Sequence, residues 1–204
     1  LGLAARLPGW PGQVLADALL TLLAQPLALP LLLAAGIGAS ICPADALPAW
    51  GLASAAAWGL LISDIAARDH QAGTTALGAA VPGGTGRRFL RQGLASLLLG
   101  LLFCGPVLWR WLAAAPTSAL ALLAGLVFLS ACASLLGQLT HGGRCFLALF
   151  LFGLYVASQA RSMAWFDVLG FNGAATLGTA ATYLGLGLVA AVLGHLHAQR
   201  NTNN

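Results

Sequence analysis

From Val14 to His195 the chain is almost continuously apolar, and nearly every charge it owns falls in the short interruptions. Six stretches approach the roughly 20 apolar residues that carry a helix across a hydrocarbon core of about 30 Å. They are Val14–Ile41, Leu47–Ile62, Phe89–Leu112, Thr117–Leu139, Cys145–Gln159 and Gly173–Leu196. The expected fold is therefore all-α: a polytopic membrane protein with about six transmembrane helices, forming one domain over residues 1–204. Composition agrees, because 59% hydrophobic and 7% charged residues leave too little polar surface to clothe a water-soluble globule of this size.

Every basic residue other than histidine is Arg and every acid is Asp. The absence of Lys bears on function, since a phosphate-cradling Gly-rich loop needs a following Lys to reach the terminal phosphates. The run Val81-Pro82-Gly83-Gly84-Thr85-Gly86-Arg87-Arg88 has neither that Lys nor a preceding apolar strand. It reads as a surface turn, and the chain is not expected to hydrolyse ATP itself.

Basic loops near helix ends stay on the cytoplasmic side. With the N-terminus inside, Arg6, Arg68, Arg87, Arg88, Arg91, Arg144 and Arg200 are cytoplasmic, and Arg110 and Arg161 are external. Trp50, Trp109, Trp111 and Trp165 then fall at the outer boundary and Trp10 at the inner one, where amphipathic rings sit at headgroup depth. Both termini are expected in the cytoplasm, the membrane being a bacterial inner membrane. Residues 1–13, with a Pro8-Gly9-Trp10-Pro11-Gly12 turn, read as an interfacial lead-in. With Met163 the sole methionine, Leu1 reads as internal to a longer product or as an alternative start, and the polar residues after His195 as a disordered end.

Candidate chemistry inside the spans is sparse. Polar groups at membrane depth are costly and default to functional roles, which nominates Gln25, Gln138, Gln159 and Asp167 as a substrate path for an apolar or amphiphilic cargo. Asp17, near the inner end of the first span, reads as solvated. Cys42, Cys104, Cys132 and Cys145 lack the close spacing of metal ligands and read as small hydrophobes. His195 and His197 do not share a helix face and read as a helix stop, so no metal site is expected. Small residues recur on the last span, Ala174, Gly178 and Thr182 on one face and Ala181 and Gly185 on another, where they serve close packing within the chain or between two copies.

The most informative stretch joins the second and third spans, over residues 63–88. A charged extension from Ser63 to Asp69 is followed by Gly73-Thr74, whose hydroxyl can cap a new helix. A short apolar segment follows, with Leu77 and Val81 at i and i+4, and Pro82 stops it. Arg87, Arg88 and Arg91 then open the next span. Such a short helix across the cytoplasmic mouth would present a surface to another protein, an ordinary inter-helix loop being the alternative reading.

Gly73, Thr74, Leu77 and Pro82, followed by basic residues, resemble the loop between helices two and three of ABC-2-type transporter permeases. The rest of the chain is similar in architecture, with six spans, a long first helix broken by Pro26 and Pro30, and a short basic turn at His141-Gly142-Gly143-Arg144. An apolar outer loop, residues 160–172, resembles the small re-entrant helices that lid these permeases. The resemblance implies a permease that moves its cargo with ATP and Mg bound by a separate ABC ATPase subunit, with no cofactor of its own. It also implies ATPase coupling through Gly73, Thr74, Leu77, Val81, Pro82, Arg87, Arg88 and Arg144, and a second permease subunit, identical or not. No nucleic acid is expected as a partner. A haem-exporter-like permease is a narrower form of this reading; an intramembrane enzyme or a non-transporting scaffold are readings of other classes.

Overall fold

The computed structural model describes residues 9–63, 65 and 84–200. Among them are seven helices and no strand: α1 (Trp10–Ala24), α2 (Ala28–Ile41), α3 (Leu47–Ile62), α4 (Gly84–Ala114), α5 (Pro116–Thr140), α6 (Arg144–Gln159) and α7 (Leu177–Arg200). Pro11, Pro48 and Pro116 stand in the first turns of α1, α3 and α5, where a missing N–H costs nothing and the fixed φ favours the helix. The expected coupling segment, with Gly73, Thr74, Leu77, Val81 and Pro82, lies outside the described residues.

The first expected span is not one helix. Gln25 is driven to an extended backbone, φ −111° and ψ 113°, because a following proline crowds the α conformation, and α1 and α2 meet at a bend of 101°. Pro30 breaks nothing: it lies within the first turn of α2, where no intrahelical donor is lost. From α2 onward the helices alternate in direction. The end of α3, the start of α4, the end of α5 and the end of α7 therefore gather at one pole with α1, a placement fixed by Arg91 to Asp17, Thr85 to Ala198 and His195 to Gly86. The expected stop at His195 is likewise absent, since α7 runs on to Arg200.

Three helices, α4, α5 and α7, are long and apolar enough to cross a bilayer, and four spans result if the bent pair α1 and α2 counts as one. At 1.5 Å per residue these three measure about 46, 37 and 36 Å, whereas α3 and α6 reach only about 24 Å.

The centre of the bundle is α4, which packs against α1, α2, α3, α5 and α7. Trp58 of α3 is fully buried against it, and its indole N–H donates to the Ser96 carbonyl at 2.8 Å, so the largest core side chain leaves no orphan donor. The longest contact is that of α5 with α7. It depends on Gly187, where a Cβ would stand 2.8 Å from the Cα of Phe128; only a residue without a side chain lets the two backbones approach so closely. The small residues singled out by their spacing do not make this contact. Gly178, Ala181, Thr182 and Gly185 face outward, and Gly187, Ala190 and Gly194 face in.

A candidate apolar cleft beneath the outer loop

The segment between α6 and α7 contains turns and no helix, which corrects the expectation of short lid helices. Its fold is set by Asp167. This carboxylate is buried and accepts three backbone N–H bonds, from Asn172 at 3.1 Å, Ala174 at 3.0 Å and Ala175 at 3.2 Å. Both oxygens are thus spent on holding the chain as it turns into α7. Asp167 is an organiser of the loop through these charge-assisted bonds.

The loop nevertheless enters the bundle. A Cβ on Gly125 of α5 would collide with the Val168 carbonyl and stand 2.8 Å from Leu169, about 14 Å along the helix from its first residue. Gly170 adopts φ +72° against the Ser118 backbone, a conformation glycine takes without strain. Leu169 and Phe171 are buried, and Phe171 packs its ring on Trp111 with centroids 5.8 Å apart. The Asn172 side chain donates to the Ala157 carbonyl at the end of α6, and the Tyr183 hydroxyl of α7 donates to the Trp165 carbonyl. The loop is tied to α5, α6 and α7 at once.

Beneath it lies a cleft of about 430 Å³. Phe128, Cys132 and Leu136 of α5 line one side, and Phe146, Gly153 and Ala157 of α6 another. Trp165 to Leu169 roof it, and Tyr183 closes the flank toward α7. It exists because α6 stands off from the bundle: only Phe146 and Phe150 of that helix are buried, stacked on one another with Phe150 edge-on to Trp58. The lining is predominantly apolar, and its one charged member, Asp167, has both oxygens engaged. A pocket of this size and character suits an apolar ligand.

The arginines sort by pole. Arg87, Arg88, Arg91, Arg144 and Arg200 lie at the pole that gathers the ends of α3, α5 and α7, and Arg110 and Arg161 at the other. Arg144 borders a concavity of about 730 Å³ with Ser63, Thr140 and His141. Arg110 has a structural role, donating to the carbonyls of Ala39 at 2.9 Å and Cys42 at 2.7 Å and so satisfying the orphan acceptors at the end of α2. Asp17 is not simply solvated, since its carboxylate meets Arg91.

The remaining nominated residues do not converge. Gln25 and Gln159 are exposed at helix ends, and Gln138 sits two residues before the end of α5 with its side-chain oxygen buried and unbonded. None of the three lines the cleft. Of the nominated path residues Asp167 alone lines it, and the outer loop stands out in the sequence for its apolarity, whereas the faces of α5 and α6 go unmarked there, Phe146 and Phe150 at i and i+4 being a trace of the latter. Among the described residues no three His, Cys, Asp or Glu side chains come together as a metal site. No protein-family model matches the chain, and no curated protein or solved structure matches it.

Proposed function

We propose that this chain is the membrane-spanning permease subunit of an ABC transporter, moving an apolar or amphiphilic cargo with ATP hydrolysed by a separate subunit. The observation that carries the reading is the common pole. The end of α3 and the start of α4, the described residues on either side of the expected coupling segment, both lie at the pole that holds Arg87, Arg88, Arg144 and Arg200. The positive-inside rule assigns that pole to the cytoplasm, where an ATPase would reach it. In this reading α2, α3 and α6 also cross the bilayer, giving six spans with both termini inside, and the short helices are accommodated by local thinning of the bilayer. A second permease subunit completes the transporter.

The test is copurification of the full chain, from the cells that make it, with an ABC ATPase subunit. Leu77→Asp would force a charge into the docking contact, a desolvation cost of several kcal/mol, and is expected to abolish ATPase association while membrane insertion persists. Arg144→Ala is expected to be milder. Undiminished association of Leu77→Asp would remove the coupling role of this segment.

A further inference from the structure

We infer that the cleft between α5 and α6 seats one acyl chain of a bilayer phospholipid, entering sideways from the membrane beneath the outer loop. The inference deepens the transporter reading by giving its cargo site a chemistry, and it rests on that reading. Three observations support the occupant. The lining is dominated by apolar side chains, and its two strongest polar groups are already engaged, Asp167 by three backbone amides and the Tyr183 hydroxyl by the Trp165 carbonyl, so the space favours an apolar occupant over ordered water. The cleft is elongated, following α6 from Phe146 to Ala157, about 17 Å along the helix, as an extended alkyl chain requires. Its wall reaches the lipid-facing surface, because Leu149 and Gly153 line it and are also exposed.

The roof adds the matching head. Arg161 is exposed at the end of α6, its Nε donating to the Ser158 carbonyl, and Trp165 is exposed beside it. An indole and a guanidinium at this level mark the headgroup boundary, and the guanidinium is a planar, permanent cation suited to a phosphate. A phospholipid with its phosphate at Arg161 would lay its chain down the cleft.

The experiment uses the full chain in vesicles of phosphatidylethanolamine and phosphatidylglycerol doped with a phospholipid carrying a photoactivatable diazirine on one acyl chain, with adducts mapped by mass spectrometry. Adducts are expected to concentrate on Leu149, Gly153 and Leu154. Gly153→Phe should fill the cleft and remove them, since Gly153 lines it and a Cβ there meets nothing within 4 Å; unchanged thermal unfolding of the variant in detergent is the accompanying check on its fold. Gly185→Phe, equally unobstructed on the outer face of α7, should leave them in place. Adducts spread evenly over all lipid-facing helices, or unchanged by Gly153→Phe, would overturn the proposal. The assay needs neither ATP nor an ATPase, so its failure is separate from a failure of ATPase copurification.

Discussion

The Asp17 carboxylate meets the Arg91 guanidinium at 2.5 Å, and this pair, with the Gln13 amide oxygen accepting from the same arginine, clasps α1 across the first turns of α4. Because α1 turns 101° away from α2, its main packing partner is α4, and it meets α2 and α3 only briefly. The clasp sets how α1 crosses the pole from which residues 66–83 depart.

Removing the clasp should loosen α1 and little else. Both side chains are partly exposed, so their pairing is expected to be worth about 1 kcal/mol or less. A double-mutant cycle of Asp17→Asn and Arg91→Gln, read by thermal unfolding in detergent, should return a coupling of that size. Faster proteolysis between α1 and α2 should accompany each single change. A coupling of several kcal/mol would mean that the pair is more deeply desolvated than its exposure indicates.

Much of this architecture can be read from the residues alone. The Gln25-Pro26 step marks the break in the first apolar stretch, and the segregation of arginine into alternate breaks gives the alternation of direction. The packing choice on α7 cannot be read in that way, since Gly178, Thr182 and Gly185 are as small as Gly187 and Gly194. Which stripe faces α5 depends on the rotation of the helix, and the partner surface at Phe128 fixes that. The anchoring role of Asp167 is hidden for a similar reason. Its partners are backbone amides of Asn172, Ala174 and Ala175, and a main-chain donor has no side-chain signature. The cleft depends on how far α6 stands from α5, a distance that no periodicity encodes.

Asp167→Ala should release the outer loop. Three N–H groups that now donate to a carboxylate would lose their acceptor, and of these the Ala175 amide is buried, where an unsatisfied donor costs about 1–3 kcal/mol. The expected outcome is a loop that exposes its own residues: Phe171→Cys, buried in the parent, should become reactive to a thiol reagent only when combined with Asp167→Ala. Asp167→Asn keeps one acceptor oxygen and should fall between the two. Equal reactivity of Phe171→Cys with and without the Asp167 change would count against the loop being held by this carboxylate.

Gly125 tests the depth of the loop from the other side. Its missing Cβ gives room to a backbone carbonyl, that of Val168, and a carbonyl cannot swing aside as a flexible side chain can. Gly125→Leu is therefore expected to destabilise the fold by about 1–3 kcal/mol through overpacking and to expel the loop from α5. Gly105→Leu serves as the control, since a Cβ there meets nothing within 4 Å. A drop in melting temperature confined to the Gly125 variant would be the supporting result, and equal melting temperatures would show that the loop yields freely.

Topology is the broadest prediction, because it decides which pole an ATPase can reach. Asp45 and Thr117 are exposed at the pole that carries Arg110 and Arg161, whereas Gly142 lies at the opposite pole beside Arg144. If the arginine asymmetry governs insertion, Asp45→Cys and Thr117→Cys in a background free of other cysteines should react with a membrane-impermeant maleimide applied outside intact cells. Gly142→Cys should react only after the membrane is opened. The outer-loop residue Asn172 is a sterner probe, because its position is half-buried where Asp45 is exposed; Asn172→Cys should react from outside and more slowly than Asp45→Cys. Labelling of Gly142→Cys in intact cells would place the Arg-rich pole outside, put residues 66–83 beyond the reach of a cytoplasmic ATPase, and remove the basis of the permease reading.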